Sequence, residues 1–585
     1  MFLMFLWTIL VAPVFEYLQL TVKLCDLPPL VYFLRGYVKD QVYADNPRYI
    51  EALKTNIRGV ELSSNDSIAM VLTVQQIWDQ TPGGVWVYLV VIASIYILYI
   101  LKSYIRSVLF VSRLNGPKTV PILGNARCVL NDNLLHRLAN ENQTYGRVIR
   151  IWLTGLPYVM VLEPEDIQVI LSSMKHTRKI FFYKLLDNFL GKGLITRDVE
   201  TWRTHRKFLQ PAFHLHILER FTNTFAECAN NLMNEFVDKD NQEINITSFI
   251  NDSVYDILSE TVLGINRGSR YTRDIAADDD LPFRKGQIML LYRLVRPWLL
   301  IEWIYRLTKH GKQEEKQRKD LFDTCFKMMK DKREQLRNKD DSVNDGTRIS
   351  ERMSLLEYMV EMNEKNPCFT DEDIVEECCT FMLAGQDSVG TATAMTLFLL
   401  ANHPEWQERC IEEMDRIFDG DSSRQPTMKD LKDMRCLEMC IKESLRLYPS
   451  VPIIARILGE DVKIGKHVIP AGCGIFMSPY STHRLAHHFP DPEAFKPERF
   501  SPENSEKRHP YSYLPFSAGP RNCIGYKFAM LEMKSMISAI LRKCQLQSVP
   551  GKEEVRPKFR MTIRAQGGLW VKVVARDQKS KNLCS

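Results

Sequence analysis

Long stretches of helical periodicity alternate in this chain with a few short strand-like runs. Apolar positions recur three and four residues apart in NLLHRLANENQ, residues 133–143, and again over 218–238, 314–337, 371–401 and 427–447. That spacing places apolar side chains on one face of a helix, so each segment predicts a helix packed against a core. RVIRIWL and YVMVL within 147–162, and GLWVKVVA near the C-terminus, are rich in β-branched and aromatic residues and predict strands. The expected fold is mainly α with a small β-sheet portion. The polar stretch NKDDSVNDGTRIS, residues 338–350, predicts a mobile loop between helices.

The N-terminal region departs from this pattern. Residues 85–101, VWVYLVVIASIYILYIL, are uncharged and reach about the minimum length of a transmembrane helix. Lys102, Arg106 and Arg113 follow, the positive flank of a cytoplasmic side, which would leave the remainder of the chain facing the cytosol. A buried core helix is the alternative reading of the run. NGPKTVPILGN, residues 115–125, breaks helix and reads as a hinge. The expected divisions are an N-terminal extension over 1–84, a membrane anchor over 85–101, a basic and Pro/Gly hinge over 102–124, and a globular domain over 125–585. Met1–Phe15 is also apolar, and three readings stand open: a signal sequence, a second membrane span, or an incorrectly joined exon. Asn65-Asp66-Ser67 is a usable glycosylation acceptor only if the first apolar run spans with its N-terminus inside; otherwise it is a chance match.

Composition narrows the class. Hydrophobic content of 45% with 25% charge belongs to a globular chain with an ample core. A net charge of +6 is spread too thinly over 585 residues to suggest nucleic acid, but it permits a basic docking face. The fourteen cysteines are scattered without CxxC pairs, which points to a reducing compartment and against a disulfide framework or a zinc ribbon.

One cysteine has conspicuous neighbours. In PFSAGPRNCIG, residues 515–525, Gly519 and Gly525 would let the backbone turn sharply and approach a flat ligand, while Pro520 stiffens the loop. Arg521 supplies a cation for a carboxylate and favours thiolate at Cys523. A helical pattern starts at Tyr526, so its N-terminal amides would lie near the sulfur. A thiolate in a glycine-lined loop, opposite a flat dianionic cofactor, is what a haem axial ligand requires. Phe516, Gly519, Arg521, Cys523 and Gly525 reproduce FxxGxRxCxG, and in this the chain resembles the cytochrome P450 superfamily of haem-thiolate monooxygenases.

Further motifs follow the same resemblance in order along the chain. ExxR alone is a common surface pair, but Glu443 and Arg446 in KESLRLYP are followed by Arg499 in FKPERF, and in the family these three form a buried ion network behind the haem loop. Trp202 and Arg206 match the WxxxR motif, whose members bind a haem propionate in the family. Ala384, Gly385, Asp387 and Ser388 match A/G-G-x-D/E-T: small residues open space for dioxygen beside the haem, and the acid and alcohol organise a water relay. Ser388 replaces the customary threonine, keeping the hydroxyl without the methyl that restricts its rotamer. RKFLQPAFH and KESLRLYPSVP further resemble family 4 and its clan, and the guess at a source is an insect. Many family 4 members have a glutamate, able to esterify the haem, where this chain has Ala384, so the haem b expected here is noncovalent apart from the Cys523 thiolate–iron bond.

The resemblance covers residues from about 115 to about 575. It implies the cytochrome P450 fold behind an N-terminal membrane anchor, in the endoplasmic reticulum membrane with the catalytic domain facing the cytosol. It implies insertion of one oxygen atom from O2 into an apolar substrate, a fatty acid, hydrocarbon, terpenoid hormone or xenobiotic. Electrons would come from NADPH-cytochrome P450 reductase, with cytochrome b5 as a further donor, because the chain has no Rossmann fingerprint and too little sequence after the haem domain for a flavin module. Lys207, Lys527 and Lys534 flank the motifs that the resemblance places on the thiolate side of the haem, and they are the candidates for the basic docking face. Two alternatives remain: a reductase-independent haem-thiolate isomerase or dehydratase, and a non-catalytic membrane haem protein.

Overall fold

A computed structural model describes residues 84–130, 133–265, 282–340, 353–365, 367–421 and 423–576. The first apolar run, the Asn65 triplet and residues 341–350 of the expected loop lie outside the described residues. The chain divides into two compact units, Met1–Arg106 and Ser107–Ser585. In the first, the second apolar run belongs to helix α1, Gly84–Ser112, on which Val91, Ile92 and Ile95 are exposed. Among the described residues no helix is long and apolar enough to cross a membrane. The side chains of residues 84–90, 93 and 97–101 are not part of that description.

The second unit is mainly helical with small sheets, as the periodicity predicts. Helix α2 covers Leu134–Tyr145, α3 Val199–Leu209, α4 Thr222–Val237, α5 Ile246–Leu258 and α6 Lys309–Asp340. The last of these carries helix three residues into the stretch expected to be loop. Helix α7, Asp371–Asn402, is the central one. Thr370 and Asp373 form a reciprocal capping box at its start, and Asp371, Glu372 and Asp373 place negative charge at the positive end of its dipole. It ends before Pro404, which disfavours helical geometry at His403. Between Ile374 and Ala401 nearly every side chain is buried, whichever face it occupies, because α5, α6, a later helix and a strand pack around it. A helix enclosed in this way buries polar side chains too, and its Glu377 and Asp387 are matched by His205 and Arg564.

Helix α8, Pro404–Ile417, follows, and the segment expected as one helix over 427–447 is two: Met428–Asp433 and α9, Arg435–Leu447. The break at Met434 has a local cause. Glu413 of α8 accepts hydrogen bonds from the backbone N–H groups of Arg435, Cys436 and Leu437, which starts a new helix there. Helix α10, Tyr526–Lys543, packs on α4, α7 and α8.

The strands are short. β1, Val148–Leu153, and β2, Leu156–Val161, form a hairpin whose Thr154-Gly155 turn has positive φ at both residues. β4, Ile454–Ile457, pairs with β7, Gly474–Met477, and β7 runs parallel to β2, giving the order β1-β2-β7-β4. The predicted C-terminal strand is β11, Trp570–Ala575, between β3, Glu243–Asn245, and β8, Cys544–Ser548. Two small ribbons complete the set: β5, Val462–Ile464, with β6, His467–Ile469, and β9, Pro557–Phe559, with β10, Ile563–Ala565.

Candidate active site

A cavity of about 480 Å³ lies between the cysteine loop and α7. Trp202, Arg206, Phe516, Arg521, Cys523 and Gly525 line it from one side, and Ala384, Gly385 and Ser388 from the other. The loop is held by its own backbone: the Cys523 N–H donates to Phe516 O at 2.9 Å and the Asn522 N–H to Gly519 O at 3.1 Å. Gly519 has φ +72, and a Cβ there would fall 1.8 Å from Leu171 O, so the position admits only glycine. Gly525 differs from expectation. Its φ is −91 at the N-cap of α10, and a Cβ would meet nothing closer than 3.8 Å, so this glycine is not needed for the turn and instead leaves room at the cavity wall.

Cys523 is exposed, but to the cavity, and the surrounding protein raises its thiol pKa by burial. The Gly525 backbone N–H and the Arg206 charge oppose that rise. Thus the cation acting on the sulfur is Arg206, where the sequence suggested Arg521. Arg206 is anchored to the loop itself, donating to Asn522 O at 2.9 Å and Asn522 Oδ1 at 2.7 Å. Helix α3 is positioned for this by α7: His205 Nδ1 lies 2.7 Å from Glu377 Oε1, and Arg197, just before α3, pairs with Asp373 at 2.6 Å.

Arg521 points elsewhere. Its guanidinium lies 4.6 Å from the Trp202 ring centroid and gives one hydrogen bond to Arg197 O, leaving Nε and Nη1 buried without a partner. Lys179 faces the same cavity, and Arg456 of β4 is buried beside them. Burial first, and then the charge of Arg456, pull the Arg521 pKa down to about 9; burial and both arginines depress Lys179. Asp198 is the acid whose charge reaches Arg521, and among the described residues none of these three cations forms a carboxylate ion pair. Uncompensated buried cations are costly, so such a cluster calls for an anion. Two carboxylates on a flat cofactor would satisfy it, and the donor set therefore fits the propionates of a haem. Lys179 and Arg456 were missed in the sequence; the one signal was a cation within the apolar strand run IIARIL.

The acid and the alcohol on α7 separate. Ser388 lines the cavity, but Asp387 is buried away from it, ion-paired with Arg564 of β10 and accepting hydrogen bonds from Gln287 and Thr562. Neither Arg564 nor Gln287 was legible as a partner, since both are distant in sequence. Gly385 would place a Cβ 3.1 Å from the Leu258 side chain, tight against α5.

Behind the loop, Glu443, Arg446 and Arg499 come together. Arg446 holds Glu443 bidentately at 2.7 and 2.8 Å with both side chains fully buried, and donates to His483 O, Pro492 O and Ala494 O. Glu443 Oε1 also accepts from Lys496 N at 2.8 Å and Arg499 Nε at 3.3 Å. His483 carries this network to the cysteine loop. The Leu514 N–H donates to its Nε2 at 2.7 Å, so the proton sits on Nδ1, which donates to Arg446 O at 3.1 Å. Burial drives its pKa down to about 3. A histidine held neutral in the fold yet free to protonate when unfolded loses stability as pH falls below its unfolded value of about 6.5. The unfolding free energy at pH 5 is expected to drop about 2 kcal/mol relative to pH 7 through this group. Denaturant titrations at both pH values, with His483→Gln as the comparison lacking that loss, measure it.

Of the proposed basic face, Lys207 is exposed and Lys527 half-buried, but Lys534 is buried and bonded to Leu431 O and Glu438. A helix-facing position explains the error: Lys534 sits on the inner side of α10.

The cytochrome P450 family profile matches residues 114–570. The chain is 52% identical over 512 residues to "Probable cytochrome P450 4aa1" of Drosophila melanogaster, covering 86% of this chain and 98% of that protein. It is 36% identical over 498 residues to "Cytochrome P450 4c3" of the same organism, covering 81% and 92%, and 34% identical over 476 residues to "Cytochrome P450 4V2" of Homo sapiens, covering 79% and 89%. With the cation-lined cavity and its facing thiol, these matches establish a haem-thiolate monooxygenase: the chain belongs to the cytochrome P450 family, within family 4.

Proposed function

We propose that the chain is an endoplasmic-reticulum monooxygenase that inserts one oxygen atom into a lipophilic substrate, with Cys523 as the thiolate that would hold the haem iron. The observation that carries the substrate class is the apolar character of the space beyond the cysteine loop. A second cavity of about 270 Å³ shares Tyr183, Ile195, Val451 and Ile454 with the first, and its walls include Leu134, Leu138, Phe182, Leu290 and Phe559. Such walls favour a fatty acid, hydrocarbon, terpenoid or foreign lipophile over a charged, compact molecule. Haem supplies oxygen activation when bound. The chain's residues divide the remaining work: Arg521, Lys179 and Arg456 would neutralise the carboxylates of a bound haem, Arg206 fixes the loop through Asn522, and Ala384 and Gly385 would leave space in the cavity opposite the loop. Ser388 offers a hydroxyl to the cavity, and Asp387, held by Arg564, Gln287 and Thr562, anchors this part of α7 from outside it. Ala384 has no carboxylate, which supports noncovalently held haem.

NADPH-cytochrome P450 reductase is the proposed electron donor, with cytochrome b5 as a second, and exposed Lys207 and half-buried Lys527 would contribute to their docking face. Membrane attachment rests on the uncharged run at 85–101, with its basic flank, and on Trp298, Trp303 and Leu307, which are exposed near one another in sequence. Incubating microsomes containing the chain and reductase with NADPH and panels of lipophiles tests the reading. Oxygenated product incorporating label from ¹⁸O2 is expected; turnover of a peroxide without NADPH would replace this reading with the isomerase. Ser388→Ala is expected to lower product formation about 100-fold, the low end of what positioned proton transfer contributes, with less product per NADPH consumed. Equal coupling in the variant would remove Ser388 from the relay.

A further inference from the structure

A cluster of thiols lies well outside the cavity and is independent of the proposed reaction. Cys436 and Cys440 are four residues apart on α9, hence on one helix face, and Cys410 reaches them from α8. Cys410 Sγ lies 3.8 Å from Cys436 Sγ and 3.7 Å from Cys440 Sγ, and all three sulfurs are within 4.8 Å of one another. A metal with tetrahedral thiolate bonds of about 2.3 Å separates its sulfurs by about 3.8 Å. We infer that Cys410, Cys436 and Cys440 form a binding site for a thiophilic divalent d¹⁰ ion, Zn(II) or its analogue Cd(II), with three thiolate ligands and a fourth position open to solvent.

The surroundings suit this role. Cys410 and Cys440 are buried, whereas Cys436 is half-buried, which provides a route of entry and a place for the fourth ligand. The positive charges of Arg409 and Arg416 bear on Cys436 and would offset the negative charge of a three-thiolate site. Glu413, one turn along α8 from Cys410, holds the start of α9 through three backbone N–H groups, so the two helices present their sulfurs in a fixed relation. A second thiol cluster makes the contrast. Cys325, Cys378 and Cys379 are all buried, with Cys325 and Cys379 3.8 Å apart; among the described residues it offers no half-buried member to admit an ion, and those thiols act as small apolar side chains. Cys440 also lies one turn before Glu443 on the same helix, so an ion joining α8 to α9 would brace the helix that supports the cysteine loop.

The test uses the full-length, haem-loaded, reduced protein titrated with Cd(II) alone. One tightly bound Cd(II) per chain is expected, with thiolate-to-metal absorption in the ultraviolet and release of thiol protons on binding. Cys436→Ala is expected to weaken binding at least 100-fold while the red-shifted carbon monoxide band of the haem stays intact. Cys436 is chosen because it is half-buried. In parallel, Zn(II) is expected to protect half-buried Cys436 of the wild-type protein from alkylation, read by peptide mass, while exposed Cys368 is modified with or without the ion. This arm does not depend on any variant folding. Unchanged Cd(II) absorption and affinity in Cys436→Ala, or alkylation of Cys436 unaffected by Zn(II), would overturn the site.

Discussion

Cys523→Ser is expected to abolish the red-shifted carbon monoxide band and to reduce monooxygenase activity by more than about 100-fold. Outer-shell partners of a metal typically cost 10- to 100-fold when removed, so loss of the axial sulfur itself should exceed that range. The serine hydroxyl is harder, far less acidic and a poor donor of electron density to iron. Because Cys523 opens onto the cavity and its backbone bonds to Phe516 survive the change, the fold should persist. The difference spectrum of dithionite-reduced microsomes is the measurement. A retained red-shifted band in the variant would mean that another sulfur ligates the iron, and the assignment of Cys523 would fail.

How much of this was legible in the sequence differs from residue to residue, and the reasons are physical. Local rules sufficed where the determinant lies within a few residues: the helical run of α7, the strand character of β1 and β2 and the turn at Gly519 are all short-range. The cysteine loop was legible because ligand, glycine and following helix are contiguous. Charge pairing was not. Arg206 and Arg521 stand in two separate motifs, and only three dimensions show that the first holds Asn522 while the second, with Lys179 and Arg456, is left for an anion. Asp387 was likewise assigned to the cavity by its neighbour Ser388, although adjacent helical residues point about 100° apart and Arg564, Gln287 and Thr562 hold its carboxylate on another side of α7. The split of 427–447 has the same origin, for it depends on Glu413 of a different helix. Lys534 failed because a helix that is buried on nearly all sides hides the tail of a lysine as readily as that of a methionine.

Removing either member of the Glu443–Arg446 pair is expected to be the most destabilising single change in the chain, at about 3 to 5 kcal/mol. Both side chains are wholly buried, so no water can replace the lost partner. The two directions leave different damage. Glu443→Gln removes the charge opposite Arg446 and weakens the acceptor for Lys496 N and Arg499 Nε, while the three carbonyls held by Arg446 remain bonded. Arg446→Ala leaves Glu443 with Lys496 N and Arg499, but strands the carbonyls of His483, Pro492 and Ala494, so it should lie at the upper end of the range. Arg499→Ala, at the partly exposed edge of the network, should cost about 1 kcal/mol. Replacing Glu443 and Arg446 together by leucine and methionine should not rescue the fold, as it can for an isolated buried pair, because the stranded carbonyls persist in the double variant. The damage should be seen first at the haem. His483 passes the position of Arg446 to Leu514, and the cysteine loop begins one residue later. Denaturant titration followed by the red-shifted band should therefore show that band lost at lower denaturant in the order Arg446→Ala, Glu443→Gln, Arg499→Ala, ahead of helix content in each. Coincident loss of band and helix at the wild-type midpoint in all three would show that the network does not support the loop.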